Sequence, residues 1–368
     1  MTRHPDFRYE QPVIRRPHAI APDLSSVYVV LISHLMPMAP GSDAGLSSII
    51  TAEMRILRRA HVHCICRRAA NAEEVTTWLE AQQWTGNRPV THVVINTYGF
   101  ITGHNIAALA AQFDDIEFIV LNHSGQSFLH IDPNAMDNVK AVLDLQNSTH
   151  NVVVAGNNSR FVAMCRDSFG VDVTLLPNLY DINGFTPNPP SRQGFDPLRI
   201  GTFGALREAK NQSVAQQAAL GMARRRRVHL EWHVLGKRFD SANHILQSRQ
   251  RLYSNIPSAT IIEHDWCVWS DFIKIVEDMD ILLMPSFDET FCCVVADGIR
   301  MGVPSVVTPA MEWAPWSWQC QRPYDPEAVM HTGMALLGDH RGAVHDGRCA
   351  LTEYVEHGTI RWINHLIR

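Results

Sequence analysis

Met284-Pro-Ser-Phe-Asp-Glu-Thr-Phe-Cys-Cys-Val-Val-Ala-Asp-Gly-Ile-Arg-Met-Gly-Val-Pro-Ser305 reads as a strand end, a short turn, a helix, and a Gly-Val-Pro turn that feeds the next strand. The apolar runs on either side, Ile281 to Met284 and Ser305 to Val307, are short and continuous. Such runs are expected of strands buried on both faces, and a helix-length crossover between them makes the strands parallel. Moving outward, Leu198 to Phe203, Leu230 to Leu235 and Thr260 to Ile262 repeat the pattern. The second half of the chain is therefore an α/β unit with helices on both faces of a parallel sheet.

The first half has the same alternation. Ser26 to Ile32, Val62 to Cys66, Val93 to Asn96, Phe118 to Leu121, Val152 to Ala155 and Val173 to Leu176 read as strands, most of them separated by helix-length segments. After the first strand comes a glycine-bearing loop, then Leu46, Ile49, Ile50, Met54 and Leu57 at helical spacing. Asn183 to Gly194 is rich in Pro and Gly without apolar periodicity and reads as a linker. The expected organisation is a first Rossmann-like domain over 1–190, a second over 191–350, and a helix over 351–368 packing back on the first. A chain of 368 residues, 46% hydrophobic and 19% charged, can bury two such cores.

The formal net charge of -5 excludes a protein coated in positive charge but not a local basic cleft. No segment approaches the roughly 18 uninterrupted apolar residues of a membrane span, and the polar N-terminus has no apolar signal core. The expectation is a soluble, cytoplasmic protein without integral membrane association. The 8 cysteines lack a small-domain disulfide spacing, so reduced thiols are expected. His61, His63, Cys64 and Cys66 suggest a metal site only superficially, because strand alternation sends the histidines and cysteines to opposite faces. No metal and no cofactor are expected.

In doubly wound sheets ligands sit outside the carboxyl ends of the strands. There Pro285-Ser286 precedes Glu289, and seven residues separate Glu289 from Asp297. This resembles the retaining GT-B glycosyltransferases, group 1 or family 4-like, whose signature is Pro-Ser, an acid, seven residues and a second acid. The resemblance implies that Glu289, with Thr290 and Phe291 after it, borders the donor sugar and that Asp297 holds the ribose hydroxyls. Two departures stand out: Asp297 replaces the usual Glu, and the family's Glu-Gly-Phe-Gly is Glu289-Thr-Phe-Cys292. Each acid also has a structural reading, Asp297 as a solvated helix residue and Glu289 as a first-turn residue favoured by the helix dipole.

Gly201-Thr-Phe-Gly-Ala-Leu-Arg-Glu-Ala-Lys-Asn211 resembles the family loop whose cations meet the donor diphosphate. Gly204, Arg207 and Lys210 take those places. Cations there stabilise the charge left on a departing diphosphate. In the first half, His123 lies just past a strand, where similar enzymes keep a cleft histidine that contacts sugar or acceptor; it is the catalytic candidate beside Glu289, able to exchange a proton near neutrality. Gly41, Ser42 and Gly45 resemble the first-domain loop near phosphates and acceptor, and Tyr98 offers a stacking surface. His264 and Trp266 follow a strand where relatives meet the nucleotide base. Leu176 to Asp181 resembles the stretch that closes the first domain.

The expected activity is transfer of a hexosyl or pentosyl group from a nucleotide-diphosphate sugar, a UDP-sugar being favoured, to a hydroxyl acceptor with retention of configuration. Front-face attack with the leaving phosphate assisting deprotonation is what the resemblance implies. Nucleic acid is one acceptor class left open, a hydroxymethylated DNA base in particular, with Arg55, Arg58, Arg59, Arg67 and Arg68 as a basic track. The rival readings are a nucleotide-sugar epimerase of the same fold and a non-catalytic sugar-nucleotide-binding subunit. Oligomeric state is not legible.

Overall fold

Strands with apolar side chains on both faces set the architecture. In β1 (Tyr28–His34), Val29 and Leu31 point one way and Val30 and Ile32 the other, and all four are buried. A computed structural model describes residues 24–34, 44–85, 88–96, 101–184, 197–236, 251, 253 and 256–368. Among them β1 is joined by β2 (His63–Ala69), β3 (His92–Ile95), β4 (Glu117–Asn122), β5 (Val152–Gly156) and β6 (Thr174–Leu175), all parallel, in the order β2-β1-β3-β4-β5-β6. The helices are α1 (Ala44–Arg59), α2 (Ala72–Thr85), α3 (Gly103–Gln112), α4 (Gln126–Ile131), α5 (Pro133–Ser148) and α6 (Ser159–Phe169). Val30 and Ile32 pack with Leu79, Leu109 and Val139 of α2, α3 and α5, whereas Val29 and Leu31 pack with Ile50 and Leu57 of α1.

The second sheet comprises β7 (Leu198–Thr202), β8 (Leu230–Leu235), β9 (Ala259–His264), β10 (Ile281–Leu283) and β11 (Ser305–Val306), parallel, in the order β11-β10-β7-β8-β9. Its helices are α7 (Gln212–Arg226), α8 (Trp269–Glu277), α9 (Cys293–Met301), α10 (Pro326–Gly338) and α11 (His340–Leu366). Two doubly wound sheets are thus present, as the alternation of runs predicts. β2 begins one residue later than expected, because His61 adopts a left-handed φ of 66° and keeps the preceding turn out of the strand.

α11 begins at His340 rather than near Leu351, against the second core through Ala343, Leu351 and Val355, and ends in the first, where Trp362 is fully buried. The Trp362 indole donates to the Pro177 carbonyl at 2.9 Å, and His365 Nε2 lies 2.8 Å from Glu117 Oε1. Residues 185–196, where most of the expected linker falls, lie outside the described residues. No helix among the described residues is long and apolar enough to cross a membrane.

Strand order locates the crevice. In the second sheet β7 has β8 on one side and β10 on the other, so the loops leaving β7 and β10 diverge in opposite directions and open a topological switch point between them.

Candidate functional site

The loops after β7 and β10 meet at that switch point. Phe287 donates its backbone N–H to the Ala209 carbonyl at 2.8 Å, stitching one loop to the other. Gly204 has φ 108°, a conformation closed to side-chain-bearing residues at little cost, and it turns the chain into the Arg207–Lys210 segment. Lys210 Nζ donates to Glu289 Oε1 at 2.5 Å, and Ser286 Oγ donates to the same oxygen at 2.9 Å. The pair is largely desolvated, with side-chain exposures of 20% for Lys210 and 7% for Glu289. Burial alone would pull the Lys210 ammonium down, but the Glu289 carboxylate more than reverses this and holds it above the ordinary lysine value. The structure therefore brings Glu289 to Lys210, and leaves the reading of Glu289 as a mere first-turn residue behind, since it precedes α9 and is paired.

The same two loops reach the facing unit. Asp288 Oδ2 accepts from the Ser127 backbone N–H at 2.8 Å and from the Ser127 hydroxyl at 2.7 Å, in the first turn of α4, whose N-cap Gly125 has no side chain for the purpose. The Arg207 guanidinium lies 4.9 Å from the centre of the Phe128 ring, and Thr290 Oγ1 donates to the His123 carbonyl at 3.2 Å. His123 thus faces the loop after β10 across the cleft. Its Nε2 lies 3.0 Å from Asn96 Oδ1, while Asn96 Nδ2 donates to the Ile32 carbonyl at 3.4 Å. That orientation of the amide makes the histidine the donor through Nε2. Burial pushes the His123 pKa down to about 4, the Asn178 side chain working against it. With that burial the ring is neutral at neutral pH, its Nε2 donating to Asn96.

Asp297 sits on α9 and is buried, so it is not a solvated helix residue. Its Oδ1 accepts from the Tyr180 hydroxyl at 2.6 Å and from the Trp269 indole at 3.0 Å. Burial raises its pKa to about 6, with those two hydrogen bonds and Arg300 pulling back. Phe291, expected at the donor, is only 1% exposed. It lies in an aromatic cluster with Trp313 and Tyr354, ring centres 5.4 and 5.5 Å away, and its carbonyl accepts from the Trp313 indole at 2.8 Å. Cys292 caps α9 at φ 59°. Where the glycine of the family pattern is missing, the backbone takes the glycine conformation anyway, at a cost of about 1 kcal/mol or more.

His264 ends β9 and is half-exposed, and Trp266 beyond it packs partly into the second core. Gly45 lies in the first turn of α1; Gly41, Ser42 and Tyr98 lie outside the described residues. Residues that sequence reasoning missed are Asp288, Tyr180, Trp269 and Asn96, all fixed by partners distant in sequence. Of these only Asp288, beside Glu289, carried any local signal.

Among solved structures the chain is similar to the sucrose-phosphate synthase of Thermosynechococcus elongatus at 15% identity, with a TM-score of 0.64 over 92% of this chain and 98% of that one. It is similar to HepE of Anabaena, solved in complex with UDP and glucose, at 14% identity, TM-score 0.63, over 92% and 99%. A glycosyltransferase from Rickettsia africae matches at 12% identity, TM-score 0.60, over 92% and 98%. No protein-family model matches the sequence, and neither does any curated protein. The structural matches run the length of both chains and show the fold: two Rossmann-like units facing each other, the GT-B architecture of those glycosyltransferases.

Proposed function

We propose that this chain is a glycosyltransferase that moves a hexosyl group from a UDP-sugar to a hydroxyl acceptor with retention of configuration. The observation that carries the reading is the buried Lys210–Glu289 pair, with Arg207 on the same β7 loop, at the switch point of the second sheet and opposite His123. A nucleoside diphosphate leaves with negative charge on its terminal phosphate, and preorganised cations in a dry cleft act most strongly where that charge develops. Arg207 and Lys210 supply them. Glu289 holds Lys210 in place until the diphosphate arrives and then accepts hydrogen bonds from the sugar hydroxyls. HepE, to which the chain is similar, was solved in complex with UDP and glucose, which supports a UDP-sugar donor.

The low basicity of His123 bears on the proton. A ring with a pKa of about 4 takes up a proton poorly at neutral pH. As the resemblance implies, the leaving phosphate oxygen receives the acceptor's hydroxyl proton, and His123 orients a hydroxyl by hydrogen bonding. Asp297 receives the ribose hydroxyls in this reading.

For the acceptor, the arginines proposed as a nucleic-acid track are mostly engaged within the chain. Arg55 and Arg59 face Asp181 at 3.8 and 2.9 Å, Arg58 donates to the Cys64 carbonyl at 2.7 Å, and Arg67 lies over Trp78. This favours a hydroxyl acceptor outside DNA. The test is release of nucleoside diphosphate from UDP-, GDP-, ADP- and TDP-sugars by wild type, Glu289→Ala and Arg207→Ala, with and without hydroxymethylated DNA. Release from a UDP-sugar that both substitutions abolish, unaffected by DNA, is expected. Wild type that binds a donor without cleaving it would be a binding subunit, wild type that neither binds nor cleaves any donor would remove the donor site, and sugar isomerised without transfer would make it an epimerase.

A further inference from the structure

Strand register gathers polar side chains on one face of the second sheet. Arg199 is opposite Glu231 across β7 and β8, and His233 follows Glu231 by two residues, so the three share a face. On β9, Ile262 is opposite His233, and His264 follows Ile262 by two. The contacts run continuously toward the carboxyl end of the sheet. Arg199 Nε donates to Glu231 Oε2 at 2.8 Å, that oxygen is 3.8 Å from His233 Nε2, and His233 Nδ1 is 2.9 Å from His264 Nε2. His233 is buried, and its Nε2 has no hydrogen-bond partner. The two imidazoles are nearly parallel, 19° apart, and the edge of His264 meets Phe203, the residue before Gly204 of the diphosphate loop.

This geometry decides where the protons sit. A neutral imidazole has one donor and one acceptor nitrogen. Burial, with His264 beside it, pushes the His233 pKa down to about 4, and burial also lowers that of His264, so both rings are neutral near pH 7. A bare lone pair on His233 Nε2 would face the Glu231 carboxylate in dry surroundings, which Coulomb repulsion disfavours, so the proton belongs on that nitrogen. His233 Nδ1 is then the acceptor and His264 Nε2 the donor. His264 Nδ1 is left as a lone pair, with no protein partner among the described residues.

We propose that Glu231 and His233 hold His264 in this tautomer so that its Nδ1 accepts a hydrogen bond from the imide N–H of the donor's uracil ring. His264 is then a specificity-determining residue and His233 a positioning residue. This rests on the reading of the cleft as a UDP-sugar site. A doubly wound sheet that takes a diphosphate at the loop after its first strand lays the nucleoside past the neighbouring strands. β9 is two strands from β7, or about 10 Å, which is the span of a ribose and a base.

Two measurements on the full chain test it. Long-range proton–nitrogen NMR of the imidazoles, without nucleotide, should show His264 protonated on Nε2 in wild type and a mixture of tautomers in Glu231→Gln and His233→Phe. Calorimetric binding of UDP and N3-methyl-UDP should give a preference for UDP that narrows by about tenfold in His264→Phe, the loss of one hydrogen bond, and less in Glu231→Gln. A wild-type His264 protonated on Nδ1 overturns the proposal, as does an unchanged preference in His264→Phe or a purine diphosphate bound in place of UDP. Each of those leaves the donor site standing, whereas wild type that binds no nucleoside diphosphate removes the donor site and this inference together.

Discussion

Two regions treat buried carboxylates in opposite ways. At the switch point, Glu289 meets a cation, Lys210, and a hydroxyl, Ser286, so its charge is matched inside the protein. Beside Leu179 and Tyr180, where the chain leaves the first sheet, two buried acids meet neutral groups instead. Asp297 accepts from Tyr180 and Trp269, and Glu53 of α1 is fully buried with neither oxygen in hydrogen-bonding geometry. Burial pushes Glu53 up to about 8, the Leu179 N–H working against it, and raises Asp297 to about 6. The switch point pairs its carboxylate with a cation, whereas beside Leu179 and Tyr180 burial raises both carboxyl pKa values. Two acids with seven residues between them in one motif thus have different electrostatic surroundings.

The sharpest way to break that contrast is to remove one half of the matched pair. Glu289→Ala should lower kcat by about 10²–10³-fold. Lys210→Ala should do the same and also destabilise the chain by about 3 kcal/mol, because Glu289 is left buried without its partner. Steady-state kinetics and thermal melts read the two effects separately.

The unmatched side should respond in the other direction. Between about pH 4.5 and about 8 the folded chain keeps a proton on Glu53 that the unfolded chain releases, so stability falls as pH rises through that window. Glu53→Gln should remove this slope and raise the melting temperature more at pH 8 than at pH 5. An equal shift at both pH values would mean that the carboxyl is not protonated in the fold.

Across the cleft, Asp288→Ala deletes two hydrogen bonds to Ser127, and should shift the equilibrium between separated and apposed units by about tenfold, visible as a larger radius of gyration in solution scattering. For Asp297, affinity for UDP should fall by up to about tenfold from pH 7 to pH 5 as its carboxylate is protonated through a pKa of about 6. Asp297→Asn should flatten that profile. The smallest effect belongs to Cys292→Gly, which relieves a left-handed backbone and should stabilise by at most about 1 kcal/mol, since the glycine also loosens the unfolded chain.

How much of this was readable beforehand follows the range of the forces involved. Both sheets were legible, because runs such as Ile281 to Leu283 and Phe118 to Leu121 must be buried on both faces wherever they lie. The meeting of Glu289 with the Arg207–Lys210 segment was legible from motifs that resemble the GT-B pattern at two strand ends. Spacing could not tell that Phe291 turns inward, since its aromatic neighbours Trp313 and Tyr354 come from later segments. Nor could it tell that Asp297 is held by Tyr180, 117 positions away. The His233–His264 contact needs the register between β8 and β9, which no local pattern carries.

The path of α11 has a consequence for biosynthesis. Trp362 and Leu366 complete the apolar face formed by Val29, Leu31, Ile50 and Leu121, so the unit whose strands emerge first from the ribosome is finished only after the whole second sheet has been made. Domains commonly fold in the order of translation. Here the earlier one waits with an open hydrophobic face, and nascent chains stalled before residue 355 should be bound by chaperones through their N-terminal half.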